Sequence, residues 1–116
     1  MSLARCLIRP FAGLRPRPAD AAAVLAPPYD VLSSAEARQA VVGKPLSFLH
    51  VSKAEIDLPV DIDPHSPAVY ARSAENFRRL IDAGILRRDP RPCYYAYRLV
   101  MNEHVQTGLV AVASVA

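Results

Sequence analysis

"PLSFLHVSKAEIDLP", residues 45–59, decides how much sheet this chain can hold. Its first half reads as a strand. Leu46, Phe48 and His50 fall on one face, and Ser47, Leu49 and Val51 on the other. Both faces carry apolar side chains, so the expected strand is interior. The continuation "AEIDLPVDIDPHS" reads as a long acidic loop. It brings Glu55 and Asp57 close to His50.

Two helices flank this strand. Ser33 and Glu36 have capping-box spacing, which predicts a helix over Ser34 to Val42 stopped by Gly43. Ser66 is a natural N-cap for the second helix, and Pro67 suits its first position, where a missing N–H costs nothing. Val69, Tyr70, Ser73, Phe77, Leu80 and Ile81 form the expected inner stripe. Arg72, Glu75, Arg78, Arg79 and Asp82 are assigned to the outer face. Gly84 ends the helix, and Ile85 folds back on its last turn.

"CYYAYRLV" and "VQTGLVAVASVA" then read as a hairpin, with "MNEH" as the turn. Gly108 within the return strand predicts a bulge or a close backbone approach. Before the first helix, a short strand is expected around Arg5 to Ile8. "ADAAAVLA" reads either as a helical turn or as a strand entering the core. In "APPYD", Pro27 and Pro28 fix φ and remove two donors. That segment must be an edge or a corner, and it presents Tyr29 and Asp30.

The fold class expected is α+β: a mixed or antiparallel sheet with two helices. All 116 residues belong to one domain without an internal boundary. The run "LVAVASVA" has no closing turn or polar tail, which predicts the N-terminal part of a larger domain.

Composition narrows the function classes. Hydrophobic residues make up 52%, which is globular. Eleven prolines against four glycines indicate stiff, shaped loops. A net charge of +3 does not mark a nucleic-acid binder. Cys6 and Cys93 form no CxxC and read as free thiols in a reducing cytosol. No apolar run has the length of a membrane span. The first 19 residues are Arg-rich and lack acids, as a transit peptide would be, but Pro10, Pro16 and Pro18 oppose its amphipathic helix. The expected location is cytoplasmic.

Phosphate-loop, dinucleotide, nucleophile-elbow and H-E-x-x-H motifs are absent. An EF-hand starting at Asp61 would need glycine at 66 and glutamate at 72; the chain has Ser66 and Arg72. No metal site is therefore assigned, and the sequence leaves the cofactor unknown. Tyr94, Tyr95 and Tyr97 with Arg98 suit strand packing better than base stacking. His50 reads either as a hydrogen-bonded structural histidine or as a ligand contact or general acid/base.

"RPFAGLRP", "APPYDVLS", "SFLHVSKAEIDLP", "AVYARSAENFRRLIDAGIL" and "QTGLVAVASV" occur in this order. Together they resemble the N-terminus of the bacterial and archaeal proteins known as domain of unknown function 1015. The resemblance runs through nearly the whole chain. It implies a longer, soluble, intracellular protein whose biochemical role is not established. Where many relatives carry arginine this chain has Lys53, which weakens a bidentate anion contact. An association of some relatives with serine biosynthesis implies a small phosphorylated or amino-acid ligand.

The expected protein is thus a metabolic enzyme of unknown reaction, connected with serine or phosphoserine. Asp30 and His50 are the proton-transfer candidates. Tyr29, Arg15, Lys53, Glu55 and Asp57 are the ligand-binding ones. The alternative is a non-catalytic, small-ligand-binding or regulatory module. The expected partner is a small molecule, with neither nucleic acid nor membrane.

Overall fold

A computed structural model describes residues 7–115. Its helices are α1 (Ala21–Val24), α2 (Ser34–Ala40), α3 (Leu49–Ser52) and α4 (Pro67–Asp82). Its strands are β1 (Ile8–Arg9), β2 (Leu14–Pro16), β3 (Leu86–Arg88), β4 (Tyr95–Met101), β5 (His104–Val110) and β6 (Val112–Ala113). The mixture is α+β, with short antiparallel two-stranded ladders in place of one larger sheet. The described residues gather into two compact units, Pro16–Arg87 and a second made of residues 7–15 with 88–115.

The Pro16–Arg87 unit is helical, and the expected interior strand is not there. "LHVS" forms α3, and "AEID" follows as a 3₁₀ turn, Ala54–Asp57. Ser47 starts the coil: its Oγ accepts from Leu49 N at 3.3 Å and its carbonyl from His50 N at 3.1 Å. The segment misleads because it lies between two apolar clusters. Leu49 joins Ala37 and Ile56 on one side. Leu46, Phe48 and Val51 pack on Val24, Leu80, Ile85 and Leu86 on the other. A helical turn buried on both sides shows the same apolar pattern as a buried strand. The acidic stretch is a 3₁₀ turn at its start and not loop throughout; Glu55 in that turn is buried, while Asp61 and Asp63 farther on are exposed.

α2 has its full capping box: Ser33 Oγ accepts from Glu36 N at 3.1 Å, and Ser33 N donates to Glu36 Oε1 at 3.0 Å. "AAAV" takes the helical-turn alternative as α1. The proline corner follows it. Pro28 is extended (φ −56°, ψ 141°) and leads into a 3₁₀ turn, Tyr29–Val31, just before α2.

α4 begins at Pro67 after an extended Ser66, although the Ser66 hydroxyl makes no cap bond. At its other end Gly84 N donates to Ile81 O and Ile85 N to Leu80 O, both at 3.0 Å. Gly84 sits at φ +74°, completing a Schellman motif. The buried stripe differs from the expected one. Val69, Asn76 and Leu80 are buried, with Ser73 and Phe77 partly covered, while Tyr70 and Ile81 are exposed. The inner face turns toward Asn76 because its amide has two acceptors waiting there.

In the other unit β4 and β5 form a regular antiparallel ladder from Tyr95↔Val110 to Met101↔His104. Asn102 takes positive φ (55°) in the turn, which asparagine tolerates. Gly108 makes no bulge: it pairs in register with Tyr97, and the nearest atom to an added Cβ would be Tyr97 O at 4.0 Å. β1 pairs with β6 through Ile8↔Ala113 and Arg9↔Val112. Of the strand expected over residues 5–8, residues 5 and 6 lie outside the described part. Gly13 is the close approach in this unit, since a Cβ there would sit 2.9 Å from Tyr95 Oη. Leu109, Val110, Val112 and Val115 are exposed.

Candidate functional site

Residues expected to share one site are divided: two clefts of the helical unit hold five of them, Arg15 lies in the other unit, and Asp30 is exposed outside both clefts. In the helical unit α3 and the following 3₁₀ turn carry His50 and Asp57 toward one cleft, and Lys53 and Glu55 toward another. His50 and Asp57 are seven positions apart along a tight coil, and the return brings Nδ1 of His50 within 2.9 Å of both Asp57 oxygens. Nε2 of His50 lies 3.2 Å from the Lys44 carbonyl. Asn76 of α4 joins them: its Nδ2 donates to Asp57 Oδ2 at 2.9 Å and to the His50 carbonyl at 2.7 Å. Asn76 is buried, so its two donors are spent where water cannot replace the partners.

This network forms part of a cleft of about 370 Å³. Leu46, Leu80 and Ile85 give it an apolar wall, and Arg72 and Arg79 also belong to its lining. Arg79 is exposed and bonds Glu75 at 3.1 Å. Arg72 differs: its Nε is buried and has no hydrogen-bond partner among the described residues. A buried guanidinium N–H without an acceptor is costly, so it marks where an acceptor would be welcome.

The second cleft, about 460 Å³, is lined by Tyr29, Ser34, Lys53, Glu55, His65 and Tyr70 among others. Lys53 Nζ donates to the Tyr29 carbonyl at 3.2 Å and lies 3.6 Å from Glu55 Oε1. Ser34 Oγ donates to that same oxygen at 3.3 Å. Arg38 Nη2 fastens the turn by donating to the Glu55 and Leu58 carbonyls at 2.9 and 3.3 Å. The two prolines therefore hold a carbonyl where Lys53 can reach it. Asp30 is exposed and lines neither of these clefts.

Arg15 belongs to the other unit, where its guanidinium is already engaged. Nε and Nη2 both lie 2.9 Å from Asp89 oxygens, and the group stands 5.7 Å from the Tyr95 ring centroid. Tyr95 Oη donates to Asp89 Oδ2 at 2.5 Å and accepts from Gly13 N at 2.7 Å. The Arg15 hydrogen bond, then that of Tyr95, holds the Asp89 carboxyl below its usual range. The Asp89 bond pushes the Tyr95 hydroxyl up, and burial adds to it.

Sequence reasoning missed Asn76 and placed Arg72 on the outer face. A signal for Asn76 was present: a polar residue seven after Val69 and four before Leu80, in the centre of the apolar stripe. Arg72 carried the same signal, three residues after Val69 and four before Asn76, but its charge assigned it to the outer face.

Among the described residues no three His, Cys, Asp or Glu side chains gather to hold a metal ion. Cys93 is a free, exposed thiol, and Cys6 lies outside the described residues. No described helix is long and apolar enough to cross a membrane.

The chain belongs to the family described as "Protein of unknown function (DUF1015)", whose model matches residues 8–116. No curated protein and no solved structure matches it.

Proposed function

We propose that the chain is part of an intracellular metabolic protein that takes a small anionic molecule in the cleft beside His50. The observation that carries this reading is the buried Arg72 Nε without a partner, in the lining that also holds the His50–Asp57–Asn76 network. A guanidinium fork matches carboxylate and phosphate oxygens, and burial strengthens such a bond. Asp57 fixes the His50 ring as an orienting carboxylate does for a proton-transfer histidine. His50 is the group that would move a proton to or from the bound molecule. Serine and phosphoserine both present anionic oxygens, and the association of related proteins with serine biosynthesis favours them within the class.

One observation favours a non-catalytic version of the same site. Both ring nitrogens of His50 already face oxygens, Nδ1 toward Asp57 and Nε2 toward Lys44 O. A histidine so held can act as a strut, and the protein would then bind or sense the ligand without transforming it. Either way the partner is a small molecule, with no nucleic acid and no membrane.

Thermal-shift and calorimetric titration with serine, phosphoserine, inorganic phosphate and nucleotides tests the reading. At least one anion should stabilise the protein by a few degrees, and Arg72→Met should lose that shift. Stabilisation by no anion, or a shift with inorganic phosphate that is equal in wild type and Arg72→Met, removes the proposed site. Retained binding in His50→Ala with loss of turnover assigns His50 the proton transfer; unchanged turnover makes it a strut.

A further inference from the structure

The cleft beside Lys53 and Glu55 uses other residues than the anion cleft and has a different charge pattern. Both side chains are largely covered, 13% and 9% exposed, yet their ion pair is long at 3.6 Å. Charge-assisted hydrogen bonds of this kind settle near about 2.7–2.9 Å. An ammonium offers three donors, and Lys53 makes one close hydrogen bond, to Tyr29 O. A carboxylate accepts about four bonds, and Glu55 receives one at 3.3 Å, from Ser34. Buried charges normally have their hydrogen bonds filled. Here the unfilled ones border a cleft of about 460 Å³, within the size range of small-molecule sites.

We propose that this second cleft binds a small zwitterion of the α-amino-acid kind, its carboxylate on Lys53 and its ammonium on Glu55. The opposite charges of the pair select for this class. A simple anion attracted by Lys53 meets Glu55 beside it, and a simple cation attracted by Glu55 meets Lys53. A molecule carrying both signs a short distance apart satisfies both at once. Tyr29 and Tyr70, each mostly exposed, and His65 border the cleft and leave room for a side chain. The proline corner sets the geometry, because the Tyr29 carbonyl fixes the Lys53 ammonium.

Titration of the protein with glycine and L-alanine, followed by amide chemical shifts, tests the proposal. Acetate and methylamine serve as half-probes. Glycine and alanine should bind saturably and move resonances of residues 52–55 and 65–73, while the half-probes should not bind at the same concentrations. Lys53→Met and Glu55→Gln should each weaken binding about tenfold or more. The Lys53→Met/Glu55→Gln pair leaves neither charge buried alone and should fold without binding. Arg72→Met should bind the zwitterions as wild type does, which separates this cleft from the anion cleft. No zwitterion binding, equal binding of acetate or methylamine, or loss of binding in Arg72→Met would overturn the assignment. The wild-type comparison of whole and half probes decides it even where a charge variant does not fold.

Discussion

Asn76 ties His50 to Asp57 from outside the segment that carries them. Its single side-chain nitrogen donates both to the backbone carbonyl of His50 at 2.7 Å and to the carboxylate of Asp57 at 2.9 Å. α4 thereby fixes the α3 turn by polar contacts as well as by the packing of Phe48 against Phe77. Asn76→Ala leaves both acceptors short of a donor in a mostly covered place. The expected loss is about 1–3 kcal/mol, read as a lower urea midpoint at unchanged slope. A loss below about 0.5 kcal/mol would mean that water serves the two acceptors as well as Asn76 does.

Arg72→Met should behave in the opposite sense without ligand. The methionine keeps much of the aliphatic stem and removes a buried donor that has no acceptor. Denaturation without added anion should show unchanged or greater stability. A loss of more than about 1 kcal/mol would show that the guanidinium is satisfied within the protein, and would weaken the case for an anion there.

The helix ends were legible because each rests on a few adjacent residues with a single geometric solution: Ser33 with Glu36, Pro67 at a first position, Gly84 at a last one. The hairpin was legible from its two strand-like runs and the polar break "MNEH" between them. Residues 46–52 were not, because their apolar pattern reports burial on two sides and not the backbone that achieves it. That error placed His50 on a strand where the structure has a helical turn; its nearness to Asp57 was read from the sequence, but not the coil of residues 49–57 that produces it. Proximity in sequence suggested one site for His50, Lys53, Glu55 and Asp57. A helical turn sends neighbours to different faces, so the structure divides them between two clefts.

Gly84→Ala isolates the backbone cost of the α4 stop. Gly84 has φ +74°, and an added Cβ there meets nothing within 4 Å. Packing is therefore unchanged, and the penalty is that of a left-handed alanine, about 1–2 kcal/mol. Gly43→Ala, at φ +71° and equally open, should cost a similar amount. Denaturation of the two single variants and of the double variant should give additive losses, since the glycines end different helices. A neutral Gly84→Ala would mean that the Schellman closure does not persist in solution.

The Arg15–Asp89–Tyr95 cluster should make stability depend on pH in two separate windows. Asp89 has a lowered folded pKa, chiefly from its Arg15 hydrogen bond and then from Tyr95. Its contribution is present above the unfolded carboxyl value of about 3.9 and is lost as pH falls through the lower folded value. Tyr95 has a raised folded pKa, first from its hydrogen bond to Asp89 and then from burial. Its contribution is present below the unfolded phenol value of about 10 and fades as pH rises above it. Asp89→Asn should flatten the acid side and, by removing the carboxylate acceptor, also reduce the alkaline effect. Tyr95→Phe should abolish the alkaline window and leave a smaller acid one, because Arg15 still holds Asp89. It also strips Gly13 N of its acceptor, so its stability should fall at neutral pH as well. Melting temperatures of wild type and both variants from strong acid to pH above about 10 test this. An alkaline limb unchanged in Tyr95→Phe would assign that limb to another group and remove Tyr95 from the account.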